Sequence, residues 1–121
     1  ILAELPTEEV DQIIERVGLP AVTSYSTTDA NTLKEKLAQT RERGYSMDNQ
    51  ENELRNYCIG TALFDGSGQV IGACSVAGTD PEIIGKRAPE LSDNIRRTAL
   101  TISRNMGYVP ASISRLNLVT F

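Results

Sequence analysis

The chain has 121 residues, 40% hydrophobic and 23% charged, with a net charge of −4 and a pI near 4.8. That is the size and composition of one globular domain, and the acidic balance excludes the basic footprint of a nucleic-acid binder. No apolar run approaches the roughly 20 residues needed to cross a bilayer, and no secretory signal is visible. Histidine is absent. The two cysteines, Cys58 and Cys74, lie inside apolar segments without metal-ligand spacing, which reads as buried free thiols in a reducing cytoplasm.

The elements follow in chain order. Residues 1–5 (ILAEL) read as the end of a helix that started earlier, and without an initiator methionine the chain reads as a fragment. Thr7 is placed to cap a helix over 8–17, with Glu8 and Glu9 favouring its dipole, an apolar stripe of Val10, Ile13, Ile14 and Val17, and Gly18 after its end. A linker spans 19–27. Thr28 then caps a helix over 29–43, whose stripe is Ala30, Leu33 and Leu37 and whose charged run (Lys34, Glu35, Lys36, Arg41, Glu42, Arg43) reads as a solvated face. Gly44 ends it. A short strand over 45–48 leads into a polar, acidic hairpin loop over 49–56. That loop lacks the Gly and oxygen-ligand spacing of a calcium site, so no metal is expected.

Two apolar runs, 57–64 and 69–78, flank Asp65-Gly66-Ser67-Gly68, an Asp to start a turn and a Gly to take a positive φ. They predict a β-hairpin. Neither strand alternates cleanly with polar residues, so the sheet is expected to be covered on both faces. A four-residue loop pairs Phe64 with Gln69, Ala62 with Ile71, Gly60 with Ala73 and Cys58 with Ser75. One face then carries only small side chains: Cys58, Gly60, Ala62, Ala73, Ser75 and Ala77. Such a face leaves room for a closely packed helix or for a ligand. After the hairpin a loop over 79–88 contains one helical turn. Pro89 opens a helix running to Met106, with the stripe Leu91, Ile95, Ala99, Ile102 and Met106. The tail, 109–121, is apolar, and the sequence leaves open whether it adds an edge strand or contacts a partner.

No catalytic constellation is present. Without histidine there is no Ser-His or Cys-His pair, and Gly66-Ser67-Gly68 is too short for a nucleotide-binding loop. The chain reads as a non-enzyme without cofactors.

The segments Arg41-Glu42-Arg43-Gly44-Tyr45-Ser46-Met47-Asp48, Glu51, Cys58-Ile59-Gly60, Phe64-Asp65, Gly68, Val70, Ser75, and Ile102-Ser103 with Met106-Gly107-Tyr108 together resemble the effector-binding domain of the IclR family of bacterial transcriptional regulators. The family pattern is RExGYxxDxEE, CIAxPVFDxxG, SxSG and ISxxLGY. The resemblance covers residues 1–108 as the C-terminal portion of that domain and leaves 109–121 as a tail. It implies an α+β, GAF-like antiparallel sheet with helices on both faces, here as a partial domain. It also implies binding of a small organic-acid-like metabolite, homodimers or homotetramers, no membrane, and a cytoplasmic regulator. Operator DNA would be bound only by a winged helix-turn-helix absent from this chain. The glycine-rich backbone donors that hold a carboxylate in some members would precede Ile1.

Carried over by position, the effector-binding residues are Asp48, Cys58, Ser75 and Ala77. Ser75 can donate to a carboxylate. An ionised Asp48 can only accept, which suits a ligand hydroxyl or water. Cys58 shapes the wall. Ala77 stands where the family often has Ser. The loss of that donor, worth about 1.5–3 kcal/mol toward a charged group, favours a larger or less polar effector. The structural alternatives are a loop anchor for Asp48, a locally bonded sheet hydroxyl for Ser75 and plain core for Cys58. The alternative for the whole chain is a GAF-like dimerisation or interaction module with no functional ligand pocket, recognisable by a sheet face closed by packed side chains.

Overall fold

The computed structural model describes residues 1–110. The expected tail over 109–121 therefore lies, beyond its first two residues, outside the described residues. The chain runs through a 3-10 turn (Leu2–Glu4), α1 (Thr7–Val17), α2 (Ala30–Arg43), β1 (Ser46–Asn49), β2 (Tyr57–Phe64), β3 (Val70–Gly78), a second 3-10 turn (Pro81–Ile84) and α3 (Ala88–Asn105). The strands form one antiparallel sheet in the order β1-β2-β3. This is the α+β architecture expected from the sequence. The opening segment is a single 3-10 turn rather than the end of an α-helix.

The helix caps differ from expectation by one residue each. Thr7 is the first residue of α1 and caps nothing; the Pro6 carbonyl takes the amides of Glu9 and Val10 at 3.0 and 3.1 Å. Asp29, not Thr28, caps α2, accepting from the Thr32 amide at 2.8 Å and its hydroxyl at 2.9 Å. A carboxylate there also meets the positive end of the helix dipole.

The charged run on α2 is not a uniformly wet face. Lys34 pairs with Asp11 of α1 at 2.7 Å. Lys36 Nζ donates to Thr27 Oγ1 at 2.7 Å and reaches Glu51 at 3.5 Å. Arg41 Nη1 donates to the Ala3 carbonyl at 2.9 Å. Arg43 Nε donates to the Tyr45 carbonyl at 2.9 Å, and its guanidinium lies over the Tyr45 ring. No residue of α2 is buried, so these long side chains and the half-buried Leu33 and Leu37 dock it.

Ile59, at the centre of β2, is fully buried and packs with Ile83, Ala88 and Ile95; Cys74, Val76 and Leu91 border the cluster. The expected stripe of α3 holds through Ala99 and then steps round the helix. Ile102 and Met106 are 37% and 52% exposed, while Ser103 is buried. The face that meets the sheet is Ala88, Ser92, Ile95, Ala99 and Ser103, mostly small, so the helix lies close. The Ser103 hydroxyl is satisfied there: Oγ accepts the Phe64 amide at 3.0 Å.

The hairpin turns more widely than expected. Phe64 faces Val70 rather than Gln69, because the turn keeps Gln69 for itself. The Asp65 amide donates to the Gln69 carbonyl at 2.9 Å, and the Asp65 carboxylate accepts from the Ser67 hydroxyl and the Ser67 and Gln69 amides. Gly68 takes the positive φ, +83°. The ladder then slips between Leu63 and Phe64, leaving Ile71 as a bulge; beyond it Ala62 faces Ala73, Gly60 faces Ser75 and Cys58 faces Ala77. One extra loop residue and one bulge residue shift the pairing by two. A shift of two preserves which residues share a face, whereas a shift of one would exchange them.

The two faces of the sheet are unequal. α3 and the second 3-10 turn cover the Ile59 face. On the other, Ala73, Ser75 and Ala77 are exposed. Among the described residues, cover on that side comes only at one end, where the first 3-10 turn and the end of α2 share a cleft with Gly60, Ala62 and Ala73. The lack of polar alternation reflects small residues on this face, not full burial.

Candidate functional site

Asp48, Cys58 and Ala77 stand side by side in one row across all three strands: Asp48 faces Cys58, and Cys58 faces Ala77. The next row on the same face is Ser46, Gly60 and Ser75, and the one after is Ala62 with Ala73. The four residues singled out in the sequence therefore share one face, although the pairing that brings them together differs from the expected one. Ser46 was missed, because the register of β1 against β2 depends on the conformation of the loop between them. Gly60 keeps the middle of this floor open: a Cβ there would lie 3.1 Å from Ser46 Oγ and 3.7 Å from Ser75 Cβ.

Asp48 anchors its loop, with Oδ1 accepting the Glu51 amide at 2.9 Å. The structural role considered for it is thus real, yet it uses one oxygen; among the described residues Oδ2 has no hydrogen-bond partner. The Ser75 hydroxyl likewise has no partner among the described residues, so it is not a locally bonded sheet hydroxyl. Cys58 is half-buried on the floor, and Cys74 lies on the opposite face, where burial pushes its thiol pKa up. The two cysteines are free.

The loop over 50–56 is not simply solvated charge. Thr23 Oγ1 and Ser26 Oγ donate to the carbonyls of Gln50 and Glu51, each at 2.6 Å, and Thr27 Oγ1 donates to Glu51 Oε1 at 3.2 Å. Gln50 and Arg55 take positive φ, 59° and 63°, to make the turn. At the other end of the floor the cleft encloses about 470 Å³, in the range of small-molecule sites. Arg41, Thr40, Tyr45 and the stacked pair Phe64–Tyr108, with ring centroids 4.9 Å apart, stand around it. Asp48, Cys58, Ser75 and Ala77 lie outside this cleft, on the open part of the same face. Among the described residues there is no cluster of ligands for a metal ion, and no helix is long and apolar enough to cross a membrane.

The family model for the bacterial transcriptional regulator IclR C-terminal domain matches residues 1–104. The class is thus an effector-binding domain of a transcriptional regulator, not an enzyme. The chain belongs to the IclR family. It is 34% identical over 106 residues to the transcriptional repressor IclR of Escherichia coli K12, covering 88% of this chain and 39% of that protein. The crystal structure of the Thermotoga maritima IclR superposes with a TM-score of 0.84 at 34% identity, over 89% of this chain and 44% of that one. The inducer-binding domain of a PobR double mutant from Acinetobacter, solved with 3-hydroxybenzoic acid, superposes with a TM-score of 0.67 at 26% identity, over 81% of this chain and 59% of that one. The chain spans about 40% of the length of the curated relatives it matches.

Proposed function

We propose that the small-residue face is an effector floor, and that Asp48, Cys58, Ser75 and Ala77 contact a small organic-acid-like metabolite on it. One observation carries the reading. Among the described residues the floor is open, and two of its polar groups, Asp48 Oδ2 and Ser75 Oγ, have no partner and stand on adjacent rows. Ser75 donates to a carboxylate of the effector, Asp48 accepts from its hydroxyl or from a bridging water, and Cys58 and Ala77 shape the wall. Ala77 offers no donor, which favours an acid with an apolar body, and the hydroxybenzoate bound by the PobR domain is an example of that chemistry. An interaction module without a ligand would have this face closed by side chains.

In the whole regulator, a cytoplasmic homodimer or homotetramer, the effector shifts the population between arrangements that differ in affinity for operator DNA. This requires that it bind one arrangement better than the other. DNA is held by a winged helix-turn-helix outside this chain. The test is thermal unfolding of the effector domain, extended upstream of Ile1, against 2-oxo acids, sugar acids and aromatic acids including 3-hydroxybenzoate. A ligand at 100 times its Kd adds about 2.7 kcal/mol. The expected result is a shift that both Ser75→Ala and Asp48→Asn diminish. A shift that neither variant alters overturns the site, and no shift with any acid overturns the organic-acid reading.

A further inference from the structure

Ser46 is a hydroxyl of the floor that the carried-over residues leave out. It opens β1, two residues before Asp48, and stands in the row Ser46, Gly60, Ser75. It is exposed, and among the described residues its hydroxyl donates only to the Gly60 carbonyl, at 3.4 Å, a long and weak bond that a better acceptor replaces. Ser75, at the other end of the row, has no partner among the described residues. Gly60 between them carries no side chain. The point where a Cβ of residue 60 would stand is 3.1 Å from Ser46 Oγ and 3.7 Å from Ser75 Cβ. The two serines therefore flank one gap, and Ser46 already leans over it. Two strand spacings set their backbones about 10 Å apart. Two hydroxyls with a carboxylate between them span that distance, once rotation about χ1 turns the Ser75 oxygen to the gap.

The neighbouring rows set the direction of the rest of a ligand. Asp48 stands one row away, about 7 Å along the strand. Ionised, it repels a carboxylate and keeps it off the Cys58 row. On the other side, Ser46 and Gly60 also line the cleft of about 470 Å³, whose floor continues through Ala62 and Ala73 to Phe64 and Tyr108. We propose that Ser46 is a specificity-determining residue of the effector site: Ser46 and Ser75 grip the two oxygens of one carboxylate above Gly60, and the apolar body of the acid extends into the cleft. Ser46 thus supplies the second hydroxyl that Ala77 does not. The ligand class is a monocarboxylate with an aromatic or similarly bulky apolar body. The inference deepens the effector reading and rests on it for the ligand's being an acid.

The experiment is isothermal titration of the effector domain, extended upstream of Ile1, with 3-hydroxybenzoate and with its neutral amide, 3-hydroxybenzamide. Ring and hydroxyl are the same in both probes, so they differ only in the group held above Gly60. A hydrogen bond to a charged group is worth more than one to a neutral group. The expected result is that Ser46→Ala weakens the acid by about tenfold or more and the amide by no more than about threefold. Ser46→Thr, which keeps the hydroxyl, restores the preference for the acid. The melting temperature of ligand-free Ser46→Ala stays close to that of the wild type, because the residue is exposed and its bond weak. Equal losses for acid and amide would mean that Ser46 only shapes the floor, and they overturn the inference. An unchanged affinity of Ser46→Ala for the acid overturns it as well. The two readings fail separately. Acid binding that Ser75→Ala and Asp48→Asn diminish but Ser46→Ala does not overturns the clamp alone, as does a wild type that binds a 2-oxo acid or a sugar acid and not 3-hydroxybenzoate. A wild type that binds no acid of the panel overturns the effector reading and the clamp with it.

Discussion

At the scale of single residues, a few side chains carry much of the fold. Ile59 is fully enclosed by Ile83, Ala88 and Ile95. Truncating it to alanine removes buried apolar surface and leaves a cavity that α3 cannot fill without moving. The expected cost for Ile59→Ala is about 2–5 kcal/mol, measured by urea unfolding. Two aspartates act through geometry instead. Asp29 caps α2 through the Thr32 amide and hydroxyl, and Asp65 ties the hairpin turn through the Ser67 hydroxyl and the amides around it; these bonds hold both carboxyls below their ordinary pKa of 3.8. The unfolded chain therefore binds the extra protons first on acidification. The stability from these groups is present above about pH 4 and is lost as pH falls through their lowered folded values. Replacing both with asparagine is expected to lower the urea midpoint at pH 7 and to flatten its fall below about pH 4, read from unfolding curves across that range.

At the scale of elements, the ends of α2 and α3 decide how the pieces meet. Gly44 closes α2 at φ 88°, its amide bonded to the Thr40 carbonyl at 2.8 Å, and Arg96 of α3 donates to the Arg43 carbonyl at 3.3 Å beside it. A Cβ at Gly44 meets Arg96 only at ordinary contact distance, 3.6 Å. The cost of Gly44→Ala is therefore the left-handed backbone itself, about 1 kcal/mol, visible as a lower urea midpoint with an unchanged slope. The elements were largely legible in the sequence. β2 has the expected bounds, β3 differs by one residue, and α3 carries Pro89 in its first turn as expected, because hydrophobic runs, Pro and Gly act locally. The far half of the α3 stripe was not legible. Ile102 and Met106 are the larger apolar residues and fit a helical period, yet α3 turns Ser103 to the sheet, in line with Ala88, Ser92, Ile95 and Ala99, and its hydroxyl accepts the Phe64 amide there.

At the scale of the whole molecule, the sheet has, among the described residues, one sealed face and one open one. Filling the open face should remove ligand binding without disturbing the core on the other side. Gly60→Val places a branched side chain between Ser46 and Ser75, where its Cβ comes nearest the exposed Ser46 hydroxyl, at 3.1 Å. The expected outcome is a melting temperature close to that of the wild type and loss of the ligand-induced shift in the acid panel. A shift of wild-type size in this variant would mean that the acid binds neither on this floor nor in the adjoining cleft, which Gly60 also lines.

By itself the sequence determined the class of fold, the hairpin, the three helices and a set of small residues destined for one face, because these follow from side-chain period, chain punctuation and motif order. It also carried the family resemblance that residues 1–104 bear out. Tertiary structure alone decided the pairing within the hairpin, the docking of the 50–56 loop on Thr23, Ser26 and Thr27, and the row that joins Asp48 to Cys58 and Ala77. The reason is physical. Register and docking are settled by contacts between groups distant in sequence, such as Cys74 and Val76 against the Ile59 and Ile83 cluster and Thr23 and Ser26 on the 50–56 loop, and local pattern does not encode which pairing those contacts will favour.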